Sequence, residues 1–170
     1  MKRLILIFSV GVMSAGALAG EARAQTFIGN FDDWSAFHDG AGRDKACYIA
    51  SLPKKTLPQN VQRGKTYVLV THRPSEKVRN VFELRAGYPY KDGGEVEVAI
   101  DGNKPFKLFT KDDSAWTVDA ATDGAIAEAM RKGRSMTIIG TSARGTKTTD
   151  TYSLAGYTAA QGAIDKECKG

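Results

Sequence analysis

The sequence predicts a mainly β protein: an antiparallel β-sandwich of eight or nine short strands, with one internal helix and one C-terminal helix. Three observations carry that reading. Apolar and polar residues alternate in Glu95–Ile100 (EVEVAI) and Asn80–Ala86 (NVFELRA), the period of a half-buried strand. Turn signals, above all Asp101-Gly102-Asn103, separate these runs. Helical spacing of apolar residues is found in two places, Thr122–Lys132 and the stretch after Tyr157.

In chain order, residues 1–24 read as a secretory signal peptide. Lys2 and Arg3 form the positive start, Leu4–Ala19 the apolar run, and Ala22-Arg23-Ala24 the cleavage site. The run is short for a bilayer span, which disfavours an uncleaved anchor. Leu18-Ala19-Gly20-Glu21 resembles a lipoprotein box, but Glu21 stands where a lipidated cysteine is required. Cleavage leaves a single domain over 25–170, with no further segment apolar enough to cross a membrane.

Gln25–Gly29 reads as a loose lead-in, Phe31–Phe37 as the first strand with Trp34 inward, and Cys47–Ser51 as the second. Pro53–Gly64 holds two prolines and no periodicity, so a long surface loop is expected. Tyr67–Arg73 (YVLVTHR) is a central strand and Arg73–Arg79 a basic connection. Phe82 and Leu84 point inward on the next strand, then Val96, Val98 and Ile100, then Phe106 and Leu108, with a short strand over 115–117. The internal helix is capped by Thr122 or Asp123, buries Ile126, Ala129 and Met130, and stops at Gly133. Met136–Thr141 and Thr148–Ser153 form a hairpin with Met136, Ile138 and Ile139 as its apolar content and Arg144 and Lys147 near the tip. Ser153 then caps a helix carrying Tyr157, Ala160, Ile164 and Cys168 on one stripe.

Composition narrows the chemistry. After cleavage 21 basic and 18 acidic side chains remain, a net charge of +3, far below that of a dedicated nucleic-acid binder. Two cysteines in an exported chain meet an oxidising compartment, which predicts a Cys47–Cys168 disulfide. Neither a C-x-x-C nor a Cys/His cluster supports a redox or metal role. Gly140–Thr148 is the nearest approach to a phosphate-binding loop, but Thr146 displaces the lysine by one position and a strand follows instead of a helix. Gly140–Arg144 begins like a nucleophile elbow and ends in arginine where glycine is needed. No cofactor and no metal site are expected, and no catalytic residue is assigned. The alternative reading is a cryptic hydrolase that assembles Ser142 or another hydroxyl with His72 in space.

Arg73, Lys77, Arg79 and Arg85 gather on one connection and its neighbouring strand, and Arg144 and Lys147 on the hairpin. They read either as a solvated edge that resists aggregation or as contact points for an acidic partner, such as lipopolysaccharide, a glycan or a protein. Trp34, Trp116, Tyr152 and Tyr157 read as packing residues in place of a stacking platform.

The ordered set Asp33-Trp34, Cys47, Gly87-Tyr88-Pro89, Met130-Arg131-Lys132-Gly133, Arg144-Gly145, Asp150–Tyr157 and Cys168 resembles the invasion-associated locus B family of exported bacterial proteins. The resemblance covers nearly all of 25–170. It implies an immunoglobulin-like sandwich, a periplasmic or outer-surface location and, in pathogenic members, a part in host-cell entry. It implies no catalytic residue.

Overall fold

The computed structural model describes residues 25–169. Among them eleven strands join in one continuous antiparallel sheet, with one internal and one C-terminal helix. The mainly β class and both helices are as expected. The pairing does not separate the strands into the two sheets of a sandwich, because every strand is hydrogen-bonded to the next in a single order.

The strands are β1 (Thr26–Phe31), β2 (Trp34–Asp39), β3 (Ala46–Ser51), β4 (Lys55–Leu57), β5 (Tyr67–Arg73), β6 (Val78–Arg85), β7 (Glu95–Ile100), β8 (Phe106–Lys111), β9 (Ser114–Trp116), β10 (Ser135–Thr141) and β11 (Lys147–Ser153). The helices are α1 (Ala120–Lys132) and α2 (Tyr157–Glu167). Their spatial order is β1-β2-β3-β5-β6-β9-β8-β7-β10-β11-β4.

That order forces the sheet to roll. β3 is third and β4 eleventh, which in a flat sheet would set them about 38 Å apart at ~4.8 Å per strand. The chain joins them through Leu52–Lys54, a reach of about 14 Å. The far edge therefore curls back until it meets the near one. Asp33 N–H donates to Ala155 O at 3.3 Å, and the Lys54 ammonium pairs with the Asp33 carboxylate, which closes the seam.

Alternation places the core inside the roll. Val68 and Val70, Phe82 and Leu84, Val96 and Val98, and Met136 and Ile138 are all buried. Trp34 is 1% exposed; it meets Tyr157 edge-on at 5.1 Å and donates its indole N–H to Ser153 O at 3.1 Å. α2 covers β1, β2 and β3, and α1 covers β6. At the start of α2, Gly156 has φ 85°, and a Cβ there would lie 1.9 Å from Phe31 O. Only glycine admits that approach. At the far end Cys168 is joined to Cys47 of β3, with Cα atoms 6.0 Å apart, as expected.

Several local expectations are corrected. The lead-in is β1, and the expected first strand is split by a turn at Asp32, whose φ is 48°. Both flanks of that turn are apolar, which hid the hairpin. The loop over 53–64 contains β4, whose short edge pairing with β11 leaves no periodic pattern. Asp119, not Thr122 or Asp123, caps α1 by accepting Thr122 N–H at 2.7 Å, and this bond holds its carboxyl below the usual range. Asp123 is buried instead, receiving Phe82 N–H and Thr117 Oγ1–H. The α1 stripe buries Ala127 more deeply than Ala129, and on β10 Ile139 lies only half-buried on the outer phase. Ser153 Oγ accepts Ala155 N–H, and Gly156 occupies the cap of α2.

Two outcomes follow. Trp34→Ala should destabilise the fold by about 3–5 kcal/mol, read from chemical denaturation, because no neighbouring group can fill the space of the indole. Reduction of the disulfide, which closes 121 residues of separation, should cost roughly 5 kcal/mol and raise amide exchange in α2 before the central strands. Equal protection of α2 before and after reduction would contradict that order.

Candidate functional site

Six basic residues were singled out in the sequence, and the fold divides them into two groups of three. Arg73, Lys77 and Arg79 flank the β5–β6 turn, where Arg73 pairs with Val78. Arg85 lies at the other end of β6, about 23 Å along the strand, opposite Tyr67. Arg144 and Lys147 belong to the β10–β11 hairpin, which joins Arg85's end because Ala143 N–H donates to Pro89 O at 2.8 Å. One continuous basic patch is therefore not formed.

The β5–β6 turn is held by a chain of side chains that runs through both helices. Arg131 Nε–H donates to Gln161 Oε1 at 2.8 Å, and Gln161 Nε2–H to Asn80 Oδ1 at 2.7 Å. Asn80 N–H donates to His72 Nδ1 at 3.0 Å. An accepting Nδ1 carries no proton, so the imidazole proton sits on Nε2 and points to Asp165 Oδ1 at 3.0 Å. Arg79 binds the same carboxylate oxygen. Lys77 closes the turn in the left-handed region, φ 55°, and its ammonium has no acidic partner among the described residues. Arg73 is paired with Glu76.

Between this turn and the end of α2 lies a half-open cleft of about 220 Å³, lined by His72, Pro74, Lys77, Val78, Arg79 and Cys168. Its walls are a proline ring, a valine, a disulfide sulfur and the hydrocarbon edge of a fully bonded imidazole. Its rim carries Lys77 and Arg79.

The opposite end is polar, with a buried ion pair near an open cleft of about 470 Å³ whose lining includes Lys65, Tyr88, Pro89 and Asp113. Arg63 is paired with Asp150, and their side chains are 9% and 4% exposed. Burial pushes the Asp150 carboxyl up, and Arg63 opposes that shift. Arg63 also lies over the Tyr88 ring, 5.8 Å from its centre, while the Tyr88 hydroxyl meets Thr148 Oγ1. Burial pushes the hydroxyls of Tyr90 and Tyr152 far above their ordinary range. Ser142 lies here too, its Oγ accepting Thr146 N–H at 3.2 Å. Arg85 is engaged by Glu83 and Asp113.

Ser142 and His72 are not brought together as a nucleophile and its base. Both nitrogens of His72 are committed, to Asn80 and Asp165, and Ser142 sits at the tip of the β10–β11 hairpin, with four strands between β10 and β5 in the sheet order. The aromatic expectation holds: Trp34, Tyr152 and Tyr157 are fully buried, and half-buried Trp116 packs on Phe109 at 5.8 Å.

Three residues escaped the sequence reading. Asp150 was legible, since Thr148, Asp150 and Tyr152 share the inward phase of β11 and a buried carboxylate demands a cation. Arg63 gave no signal within an aperiodic loop. Asp165 lies next to the inward position Ile164 and became a partner of His72 only through packing of α2.

The family described as "Invasion associated locus B (IalB) protein" matches residues 34–165. The chain belongs to this family. Comparison with curated proteins and with solved structures finds no match. The locus B match begins at Trp34, the residue that closes the roll, and ends at Asp165, the residue that ties α2 to the basic turn. Segments that carried the resemblance in sequence also converge in space. Tyr88, Arg144 and Asp150 belong to the polar end, while Trp34 meets Ser153 and Tyr157 at the seam.

The buried pair at the polar end yields a pH-dependent outcome. Arg63→Gln should cost about 3–5 kcal/mol at pH 7, because an unpaired carboxylate is then buried. The folded-state pKa of Asp150, already raised, rises further in the variant, so the native state holds the proton more tightly than the unfolded chain. The penalty is absent below the ordinary carboxylate range and grows as pH rises through the raised value. Urea denaturation of variant and wild type at pH 4 and pH 7 should show the gap narrowing at pH 4.

Proposed function

We propose that this locus B protein is an exported, non-enzymatic binding or accessory module of the cell envelope, which presents its β5–β6 turn to an acidic partner. Export follows from the signal peptide expected over 1–24, which lies outside the described residues and leaves the domain 25–170. No helix among the described residues is long and apolar enough to cross a membrane. A periplasmic or outer-surface location in a Gram-negative bacterium is part of the proposal. A contribution to host-cell entry, in keeping with the words "Invasion associated" in the family's description, would be one consequence of such binding.

The observation that carries the reading is the contrast between the two ends. At the polar end Arg85 is bound by carboxylates of its own chain, and Arg144 and Lys147 stand at a hairpin tip above a closed, buried ion pair. At the other end Lys77 is exposed and has no ion-pair partner among the described residues, as is true of Arg144 and Lys147, but it alone of these is held by a left-handed turn beside a mainly apolar cleft. A preorganised, unpaired cation offers an acidic partner attraction without first breaking an internal ion pair. Solvated basic edges also deter aggregation, but β5 and β6 are internal strands, so their basic turn protects no sheet edge.

Chemical cross-linking in intact envelopes followed by co-purification tests this. The wild type should capture a specific protein or glycan, and Arg73→Glu with Lys77→Glu should abolish capture. Arg144→Glu with Lys147→Glu should leave it within about twofold. Recovery of no partner, together with turnover in a hydrolase screen, would overturn the proposal.

A further inference from the structure

We infer that the cleft beside the β5–β6 turn binds a small amphiphilic monoanion, with its charge on Lys77 and its apolar body against Pro74, Val78 and the Cys47–Cys168 disulfide. The inference rests on the proposed role of this end and names the chemistry of what the cleft takes.

The lining defines the ligand. Pro74 and Val78 are half-buried and present apolar surface. His72 offers no hydrogen bond, since Nδ1 accepts from Asn80 and Nε2 donates to Asp165. Cys168 contributes a sulfur already bonded to Cys47. A polar ligand body would lose its water here and recover nothing, whereas an apolar body gains. The rim selects charge. Arg79 is neutralised by Asp165, and Lys77 is left with one net positive charge, which suits a monoanion.

Volume sets the size. A cavity of about 150 Å³ holds a benzene ring of six carbons. On that scale about 220 Å³ accepts a body of about eight carbons, either a short straight chain or a substituted ring. Longer chains would project into solvent through the open side. The site is also rigid before binding, because the hydrogen-bond chain from Arg131 through Gln161, Asn80 and His72 to Asp165 fixes both walls.

The experiment uses the oxidised, signal-free protein and straight-chain carboxylates from acetate to decanoate, followed by amide chemical shifts. Octanoate should bind saturably and move the signals of His72, Val78 and Cys168. Affinity should rise by up to about fourfold per methylene and level off near eight carbons. Octylammonium and octyl glucoside should bind at least tenfold more weakly. Lys77→Glu should weaken octanoate at least tenfold, and so should Val78→Gln, with both variants shown to be folded by dispersion of their spectra. Absence of saturable octanoate shifts, equal affinity for octylammonium, or shifts confined to the hairpin tip would each overturn the inference.

Arg73 lies outside the cleft, so Arg73→Glu should leave octanoate affinity unchanged while weakening partner capture. Capture without octanoate binding would remove this inference and leave the proposed binding role standing. Octanoate binding that persists in Arg73→Glu while wild-type capture fails would do the reverse.

Discussion

The indole of Trp34 sits where the two ends of a rolled sheet meet, and the fold depends on that meeting. A sheet of this length has two edges with unpaired backbone groups, and a flat one would leave its whole inner face wet. Rolling buries the face but must be held shut. Trp34 does this from β2 by packing on Tyr157 of α2 and bonding to the end of β11. Gly156 lets Phe31 approach close enough for both contacts. The disulfide then fixes the far end of α2 to β3, so the helix lies across the seam with both ends anchored.

Buried polar groups do the positioning that apolar packing cannot. The core holds residues in the right layer, but it does not select one loop conformation over another. Asp123 accepts Phe82 N–H and Thr117 Oγ1–H, which sets α1 against β6. Asp150 draws Arg63 in and with it the loop between β4 and β5. His72 and Asp165 join β5 to α2. The buried carboxylates of Asp123 and Asp150 would be costly without their partners, so each pins its surroundings in place.

These constraints leave the two ends of the molecule with different capacities. At the hairpin end Arg63 is bound by Asp150, the Tyr88 hydroxyl by Thr148, and Arg85 by Glu83 and Asp113. At the turn end the internal chain of bonds stops at Arg79 and leaves Lys77 over. A binding role is best sought where bonding capacity remains unspent beside accessible apolar surface. The turn between β5 and β6 meets both conditions. The locus B match spans the elements that build it, from Trp34 to Asp165.

Strand phase was readable in the sequence wherever one face of a strand is buried. β5 and β7 lie where alternation placed them, and Phe82, Leu84, Val96 and Val98 point inward as read. The cysteine pair and both helices were also legible, since oxidation state and a 3.6-residue period are local or compositional properties. β1 and β4 were not legible, because edge strands lack a buried face and hence a pattern. Six basic residues were visible as charges, but only strand length and register separated Arg85 from Arg73. Arg63 was invisible as the partner of Asp150, and so was Asp165 as the partner of His72, because their pairing crosses 87 and 93 residues of chain. Local sequence determines which face of an element is apolar. Which charged groups meet depends on how the sheet rolls, and that is a property of all the strands together.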